Sequence, residues 1–409
     1  MPLDRMLDTA TARDMQPPMR VEGTGTRADR LAVRRLTVTD FRNHRASRIE
    51  SDNSILVLVG PNGAGKTNLL EAVSFLAPGR GMRRAKLSDV GRLNTEGQLD
   101  WAISARLDTP TGEISIGTGR DPAREAKDGE RRITRIDGAP VKSQSELAEH
   151  VAISWLTPQM DRLFTEGSSN RRRFLDRLIY AFDAPHSTRV NAYTHALRER
   201  ARLIRQGRRD DAWYAALEDT IATKGVAIAA ARRDMADRLN RALAADAGAR
   251  PSAFPGAELR AQGEVEDKLD TAPALAIEDE MRATLAERRR AEGGEPVSVP
   301  GPHRGDLTVR HVAKGMPAET CSTGEQKALL IAIVLAHARL RAADRGVAPI
   351  LLLDEVAAHL DAERRAALYE TLGELSGQVW LTGTDSALFE PLRGQADFHA
   401  IADGNAQPL

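Results

Sequence analysis

The sequence predicts an α/β nucleotide-binding fold divided in two by a helical lobe, and three observations predict it. The apolar run "ILVLV" (55–59) ends directly on "GPNGAGKT" (60–67), and a helical pattern follows at once. A second apolar run, "ILLLDE" (350–355), ends on two adjacent carboxylates. Between these strand signals lies a long stretch whose apolar residues recur at helical spacing.

Bulk properties narrow the class. The chain has 409 residues, enough for two or three domains. Lys plus Arg equals Asp plus Glu at 58 each, so a nucleic-acid partner would have to meet a local patch rather than a net charge. No run approaches the roughly 18–20 apolar residues of a membrane span, and the first residues carry no signal-like apolar core. A single cysteine, Cys321, excludes an internal disulfide framework or a cysteine metal cluster and fits a reducing cytoplasm. Residues 1–28 mix Pro, Gly, Thr and charge without periodicity and read as a disordered tail, with Met19 as an alternative start.

From Leu31 the pattern is strand-like. "LAVRRLTVTDF" alternates, and "SILVLVG" is a continuous buried run of the kind expected when both faces of a strand are covered. After the glycine-rich loop, Leu69, Leu70, Val73 and Leu76 fall at helical spacing. "GQLDWAISARLDTPTGEISIGTG" reads as a hairpin with Leu99, Trp101, Ile103, Ala105 and Leu107 on one face. "RRITRIDGAPV" carries an Asp-Gly turn and reads as another. From Asn170 the period becomes helical, through Phe174, Leu175, Leu178, Ile179 and Phe182, then Trp213, Leu217, Ile221, Ile228, Met235 and Leu239. Pro251 to Gly263 breaks this helical third, and strands return after the Gly/Pro stretch 293–306. The expected division is a tail (1–28), an N-terminal ATPase part (29–165), a helical lobe (166–295) and a C-terminal ATPase part (296–409).

Three segments carry chemistry. Strand, G-x-x-x-x-G-K-[ST] and helix together form the context of a phosphate-binding loop. Gly60, Gly63 and Gly65 allow close backbone approach, and N–H groups over Asn62, Gly63, Ala64, Gly65 and Lys66, with Pro61 and Asn68 flanking, would ring the phosphates of ATP. Lys66 would reach the β- and γ-phosphates, and the Thr67 hydroxyl would ligate Mg²⁺. Asp354 ends a buried strand, where a carboxylate is costly unless it faces a cation; Mg²⁺ is the natural partner. Glu355 is positioned to polarise an attacking water, and a plain acidic strand end is the alternative. Finally, "CSTGEQKALLIAIVLA" places Ser322 and Gly324 at a helix N-terminus, a second anion site. It makes sense if it meets the γ-phosphate bound by another copy, so that ATP closes a dimer. An ordinary helix cap is the alternative.

The order of these motifs, with "HLDAERR" after the acidic strand, resembles ABC-type ATPases. More narrowly, the chain resembles the RecF family of bacterial recombination-mediator ATPases in "LTVTDFRNHR", "GPNGAGKTNLLEA", "NRRRFLDRLI", "GPHRGDL", "STGEQKALLIAIVLA" and "LLLDEVAAHLDAERRAAL". The resemblance implies an ABC-like head, nucleotide contacts from Arg42 and Asn43, and "HLD" (359–361) as a loop touching a partner copy. It further implies work at gapped or stalled replication forks with RecR and RecO. Gln159 stands where the family usually has an acidic residue, and an ABC-like reading makes it a Mg²⁺-sensing glutamine. Thr384 stands where transporter ATPases carry a γ-phosphate histidine, which suits slow hydrolysis.

The interval from Thr67 to Ser322 spans 255 residues, far more than transporter cassettes use and too little for long coiled-coil arms. Residues 171–209 hold eleven arginines against Asp176, Asp183 and Glu199, and Arg80, Arg83, Arg84 and Lys86 form a second cluster. With Arg171, Arg172 and Arg173 at the head of the first, these suit contact with a duplex phosphate backbone; a solvated helix face is the alternative. Aromatic residues, at 4%, do not interleave with them as a base-stacking platform requires. The expectation is an ATP-closed homodimer on double-stranded DNA, with slow DNA-stimulated hydrolysis. A transporter or coiled-coil ATPase subunit, and a binding module that never hydrolyses ATP, are the rivals.

Overall fold

The computed structural model describes residues 30–95, 97–121, 131–249, 253–291 and 299–409; the expected tail over 1–28 lies outside them. The chain divides into two compact units. One comprises the residues up to Met160 together with Ala338–Leu409, and the other is Asp161–His337.

The first unit holds two six-stranded sheets. One has the strand order Ile153–Leu156, Ile350–Leu353, Val379–Gly383, Ile55–Val59, Asp397–Ala402, Asn405–Pro408. Its first five strands are parallel and the last is antiparallel. The strand ahead of the glycine loop and the acidic strand are thus separated by one strand, Val379–Gly383. All three are buried along their whole length, as their unbroken apolar runs require of a sheet covered on both faces. The other sheet is antiparallel, in the order His44–Glu50, Ala32–Phe41, Ala102–Thr109, Gly112–Arg120, Arg132–Ile136, Ala139–Pro140. Both expected hairpins are present. Asp137 and Gly138 take φ values of 49° and 78°, the left-handed pair that a two-residue hairpin turn needs. Trp101 anchors this unit. It packs edge-on to Phe41 at 5.6 Å and tilted to Phe75 at 5.1 Å, and its indole N–H donates to the Leu87 carbonyl at 2.9 Å.

The second unit contains the helices Ser168–Tyr180, Pro185–Arg205, Asp211–Ala249, Glu264–Lys268 and Ala274–Ala291, and the helix Thr323–Arg345 opens in it. Tyr193, Ile221, Val226, Ile228, Ile277, Met281 and Leu285 form its core. The unit is not purely helical. Within the expected break at 251–263 lies the strand Ala257–Gln262, which pairs with Asp306–His311, which in turn pairs with Met316–Pro317. This pairing ties the segment after residue 299 into Asp161–His337, whereas the sequence pattern places everything beyond 296 with the ATPase part. Trp213 lies in the helix its periodicity predicts but outside the core. It sits in the first turn of its helix and is 41% exposed, while Ile221, Ile228, Met235 and Leu239 of the same pattern are buried.

A buried ion network crosses this unit. Arg232 donates to both Asp176 oxygens at 2.9 Å and to the Pro302 carbonyl at 2.6 Å, and Glu266 lies 3.8 Å away. His186 Nε2 meets Asp176 at 3.0 Å. Burial pushes the Asp176 carboxyl up, but the His186 and Arg232 hydrogen bonds outweigh it and leave the pKa lowered. Its contribution to stability is therefore present above the ordinary carboxylate range and lost as pH falls through the lowered folded value. Arg232→Met strands this carboxylate in the interior. It is expected to cost about 3–5 kcal/mol in urea unfolding and to move acid unfolding to higher pH; an unfolding curve and acid midpoint matching the parent chain would contradict the network's role.

Candidate nucleotide-binding site

The loop between the strand Ile55–Val59 and the helix Lys66–Ser74 turns on glycines. Gly65 has φ 111°, and a Cβ there would lie 2.5 Å from His44 Nε2. A Cβ on Gly60 would lie 2.1 Å from the Ile401 carbonyl oxygen. Both positions accept only glycine, one for its dihedral and one for the approach of a neighbouring strand.

Three side chains and one backbone N–H converge at the end of the sheet. Thr67 Oγ1 donates to Asp354 Oδ1 at 2.9 Å, and Thr382 Oγ1 donates to the same oxygen at 2.8 Å. The Glu355 N–H donates to Thr382 Oγ1 at 2.9 Å. Glu355 itself has φ 53°, a left-handed conformation that costs a non-glycine residue energy and holds it at a fixed turn off the strand. Lys66 Nζ donates to the carbonyls of Gly60 at 2.7 Å and Pro61 at 2.9 Å. Burial lowers the Lys66 pKa against the pull of Glu355 and Asp354, and burial raises that of Asp354 against its two threonine donors. A hydroxyl and a desolvated carboxylate in contact at the start of a phosphate-loop helix are the oxygen donors a magnesium ion takes, so the residues present fit a Mg-nucleotide.

The loop is braced from the antiparallel sheet. Asn43 Nδ2 donates to the Ala64 carbonyl at 2.9 Å, and Asn68 Nδ2 to Asn43 Oδ1 at 2.7 Å. The His44 ring nitrogens lie 3.1 Å from the Gly65 carbonyl and 2.8 Å from that of Gly404. Arg42 grips the fully buried Glu71 of the loop helix through Nε at 2.8 Å and Nη2 at 2.7 Å, and Arg83 adds a contact of 3.2 Å. Arg42 and Asn43 are therefore part of the site's wall, engaged with protein groups. Sequence reasoning missed Thr382, His44 and Glu71. The signals were faint: a hydroxyl in the apolar run "VWLTG", a histidine in a strand, and an acid within the apolar stretch "LLEAV" of the loop helix.

Other expected residues fall as follows. Gln159 is exposed in the short helix Pro158–Arg162, directly after the strand paired with the acidic strand. Thr384 is exposed just beyond Val379–Gly383, and Asp361 caps the helix Ala362–Glu374 by accepting from the Arg364 N–H at 2.8 Å. Arg80 and Arg84 are exposed near Arg83 in sequence. In the second unit, Ser322 and Glu325 form a reciprocal cap, with N–H to carboxylate at 3.1 Å and N–H to hydroxyl at 3.4 Å. The Lys314 ammonium and the Ser322 donors hold the Glu325 carboxyl down at about 2. Ser322 and Gly324 are both exposed at this helix start, and Cys321 before them is buried. Arg171 is clamped on Asp306 at 2.8 and 2.6 Å, and Arg172 donates to Ser168 and the Gly305 carbonyl. Of the triplet only Arg173 is exposed. His303 accepts or donates a 2.6 Å bond with Tyr193, which makes "GPHRGD" a structural loop of this unit.

The sequence and fold have known counterparts. A family model described as RecF/RecN/SMC N terminal domain matches residues 32–397. A DNA replication and repair protein RecF of Mesorhizobium japonicum is 48% identical over 378 residues, covering 92% of this chain and 97% of that protein. Another, of Agrobacterium fabrum, is 47% identical, covering 92% and 98%. Among solved structures, the recombination mediator protein RecF-ATP in the RecFOR pathway superposes with a TM-score of 0.79 at 20% identity, over 93% of this chain and 98% of that one. It supports the same fold.

Thr382→Val tests the polar chain directly. It removes the hydroxyl shared by Asp354 and the Glu355 N–H, so ATP turnover is expected to fall about tenfold or more, as when a catalytic site is deprived of a positioning hydrogen bond. Nucleotide affinity, carried by the loop, should move far less. Equal losses in affinity and turnover would place Thr382 in the binding surface instead.

Proposed function

The chain belongs to the RecF family of DNA replication and repair proteins, and from that membership we propose that it is an ATP-timed DNA clamp. The observation that carries the reading is the hydrogen-bonded chain Thr67–Asp354–Thr382–Glu355 beside the glycine loop. It brings a cation-ligating pair and a water-polarising carboxylate to one end of one sheet. Bound Mg-ATP would supply a triphosphate whose terminal charge two proteins can share. Loop N–H groups from Asn62 to Lys66 bind the phosphates, Lys66 carries positive charge to them, and Thr67 with Asp354 holds the metal. Gln159 would report on the metal from the short helix that follows the neighbouring strand.

The exposed Ser322 cap, with Gly324 behind it, offers hydroxyl and N–H donors to a γ-phosphate held by a second copy. Glu355 acts as the base for a slow hydrolysis that reopens the dimer. Double-stranded DNA is the cargo, gripped through exposed arginines such as Arg80, Arg84 and Arg173. The Arg171 and Arg172 guanidiniums already have partners within their own unit. RecR and RecO are the partners we assign from the family resemblance, in keeping with the RecFOR pathway named for the related structures. No helix among the described residues is long and apolar enough to cross a membrane. A pure binding module would leave the strained Glu355 without a task.

Three variants separate the steps. Lys66→Ala should lose nucleotide binding by two orders of magnitude or more, since a buried phosphate would lose its cation. Ser322→Arg should bind nucleotide as a monomer and fail to pair. Glu355→Gln should accumulate as an ATP-held dimer, read by sedimentation with and without ATP and duplex. A Glu355→Gln protein that sediments as a monomer in saturating ATP would sink the clamp.

A further inference from the structure

The helices Pro185–Arg205 and Asp211–Ala249 form a hairpin joined by the turn Gln206–Asp210. The buried Arg200 locks the pair. Its Nε meets Glu218 at 3.1 Å and its Nη2 donates to the Leu285 carbonyl at 2.9 Å. That second bond lays the C-terminal end of Ala274–Ala291 against the hairpin. Arg289 does the same one turn later. Its guanidinium stacks over the Tyr214 ring at 4.9 Å and lies 3.7 Å from both Asp211 and Glu218. Three chain segments thus end together at one tip.

Four arginines lie there together. Arg205, Arg208, Arg209 and Arg290 are exposed and form no ion pair or side-chain hydrogen bond among the described residues. The acids nearby are few. Asp211 faces Arg289, Glu199 is paired with Arg202 at 2.7 Å, and Asp210 caps its helix by accepting from the Trp213 N–H at 2.9 Å, leaving Glu287 exposed. The tip is therefore a local positive patch on a protein of zero net charge. It is built wholly of arginine, whose planar fork matches phosphate oxygens.

We propose that this tip is a phosphate-backbone contact for duplex DNA, separate from the Arg80–Arg84 and Arg171–Arg173 segments. The inference rests on the duplex-clamp reading above and adds the place on the lobe that touches the strand. A protein partner is disfavoured because a stable protein interface needs a desolvated apolar centre, and the tip offers one large exposed apolar side chain, Trp213. A base-stacking role is disfavoured for the same reason, since single-strand platforms use successive aromatics. A polar, strongly positive surface is what backbone contact requires.

The test is a salt titration of duplex binding in ATP. The parent chain is measured beside R205A/R208A/R209A/R290A and beside the same four positions changed to lysine. The alanine variant is expected to bind at least about tenfold more weakly, with the slope of log affinity on log salt falling by about 0.9 for each phosphate it no longer neutralises. The lysine variant should recover most of the slope because it keeps the charge. Melting temperature and nucleotide binding check that both variants are folded. If the parent chain binds duplex and the alanine variant matches it in affinity and slope, the patch serves an acidic protein or nothing, and the tip inference is overturned while the clamp stands. Weaker binding with an unchanged slope would also overturn it, because as many phosphates would be neutralised as before. If the parent chain itself binds no duplex in ATP, the clamp reading falls and takes the tip with it.

Discussion

A carboxylate taken out of water has to be met by donors or a cation, and Asp354 is the group on which the rest of the first unit depends. It is 3% exposed at the end of an all-aliphatic strand. Two threonine hydroxyls donate to one of its oxygens. Those donors come from different places in the chain, one from the loop helix and one from the strand that separates the loop from the acid. The strand order is what makes this possible. With Val379–Gly383 inserted between Ile55–Val59 and Ile350–Leu353, Thr382 lies beside the acid and Thr67 reaches across to it. Two neutral donors reduce the desolvation cost without removing it, as the raised Asp354 pKa records. The site is thus poised for a positive charge, and that poise is the physical content of the nucleotide assignment.

The same economy governs the loop above it. A glycine loop that approaches phosphate through bare N–H groups must have its carbonyls satisfied elsewhere, or the loop would relax. Asn43 takes the Ala64 carbonyl, His44 the Gly65 carbonyl, and the loop helix is fixed by the Arg42 grip on Glu71. Glu71 is wholly buried and would be intolerable without its arginines. These contacts explain why "DFRNH" precedes the loop at all: the segment is the rigid bed on which the loop lies.

Most of the head was legible in the sequence because its signals are local. Continuous apolar runs mark covered strands, Asp137-Gly138 marks a hairpin, and the loop motif is read with its flanking strand and helix. What was not legible depended on pairing across long intervals. Thr382 reads as one hydroxyl in an apolar strand; its role exists only because that strand lies between two others. The strand Ala257–Gln262 sits in a Pro- and Gly-rich break, and its partner is some fifty residues away in sequence. Trp213 fitted a helical period, but periodicity does not say that its turn of helix runs past the end of the core. The nucleotide roles of Arg42 and Asn43 came from resemblance, and their protein partners could be found only in three dimensions.

The arginines show the limit of composition most clearly. Eleven in thirty-nine residues suggests one basic surface, yet the structure sorts them into kinds. Arg171 is an internal strut on Asp306, Arg172 one on the Gly305 carbonyl, and Arg200 a buried hairpin lock. A strut paired with a carboxylate, as Arg171 and Arg200 are, has its charge matched inside the fold and contributes little field to solvent. A residue such as Arg208 has no such match and projects its charge outward. Local charge density in a sequence therefore overstates the electrostatic footprint of a helical lobe, and the footprint shrinks toward the places where helices end and acids run out. On this lobe the hairpin tip is such a place: Arg232, Arg189, Arg202 and Arg200 of the helix bodies are paired with Asp176, Asp183, Glu199 and Glu218, and the turn beyond them has only Asp210, already engaged as a cap.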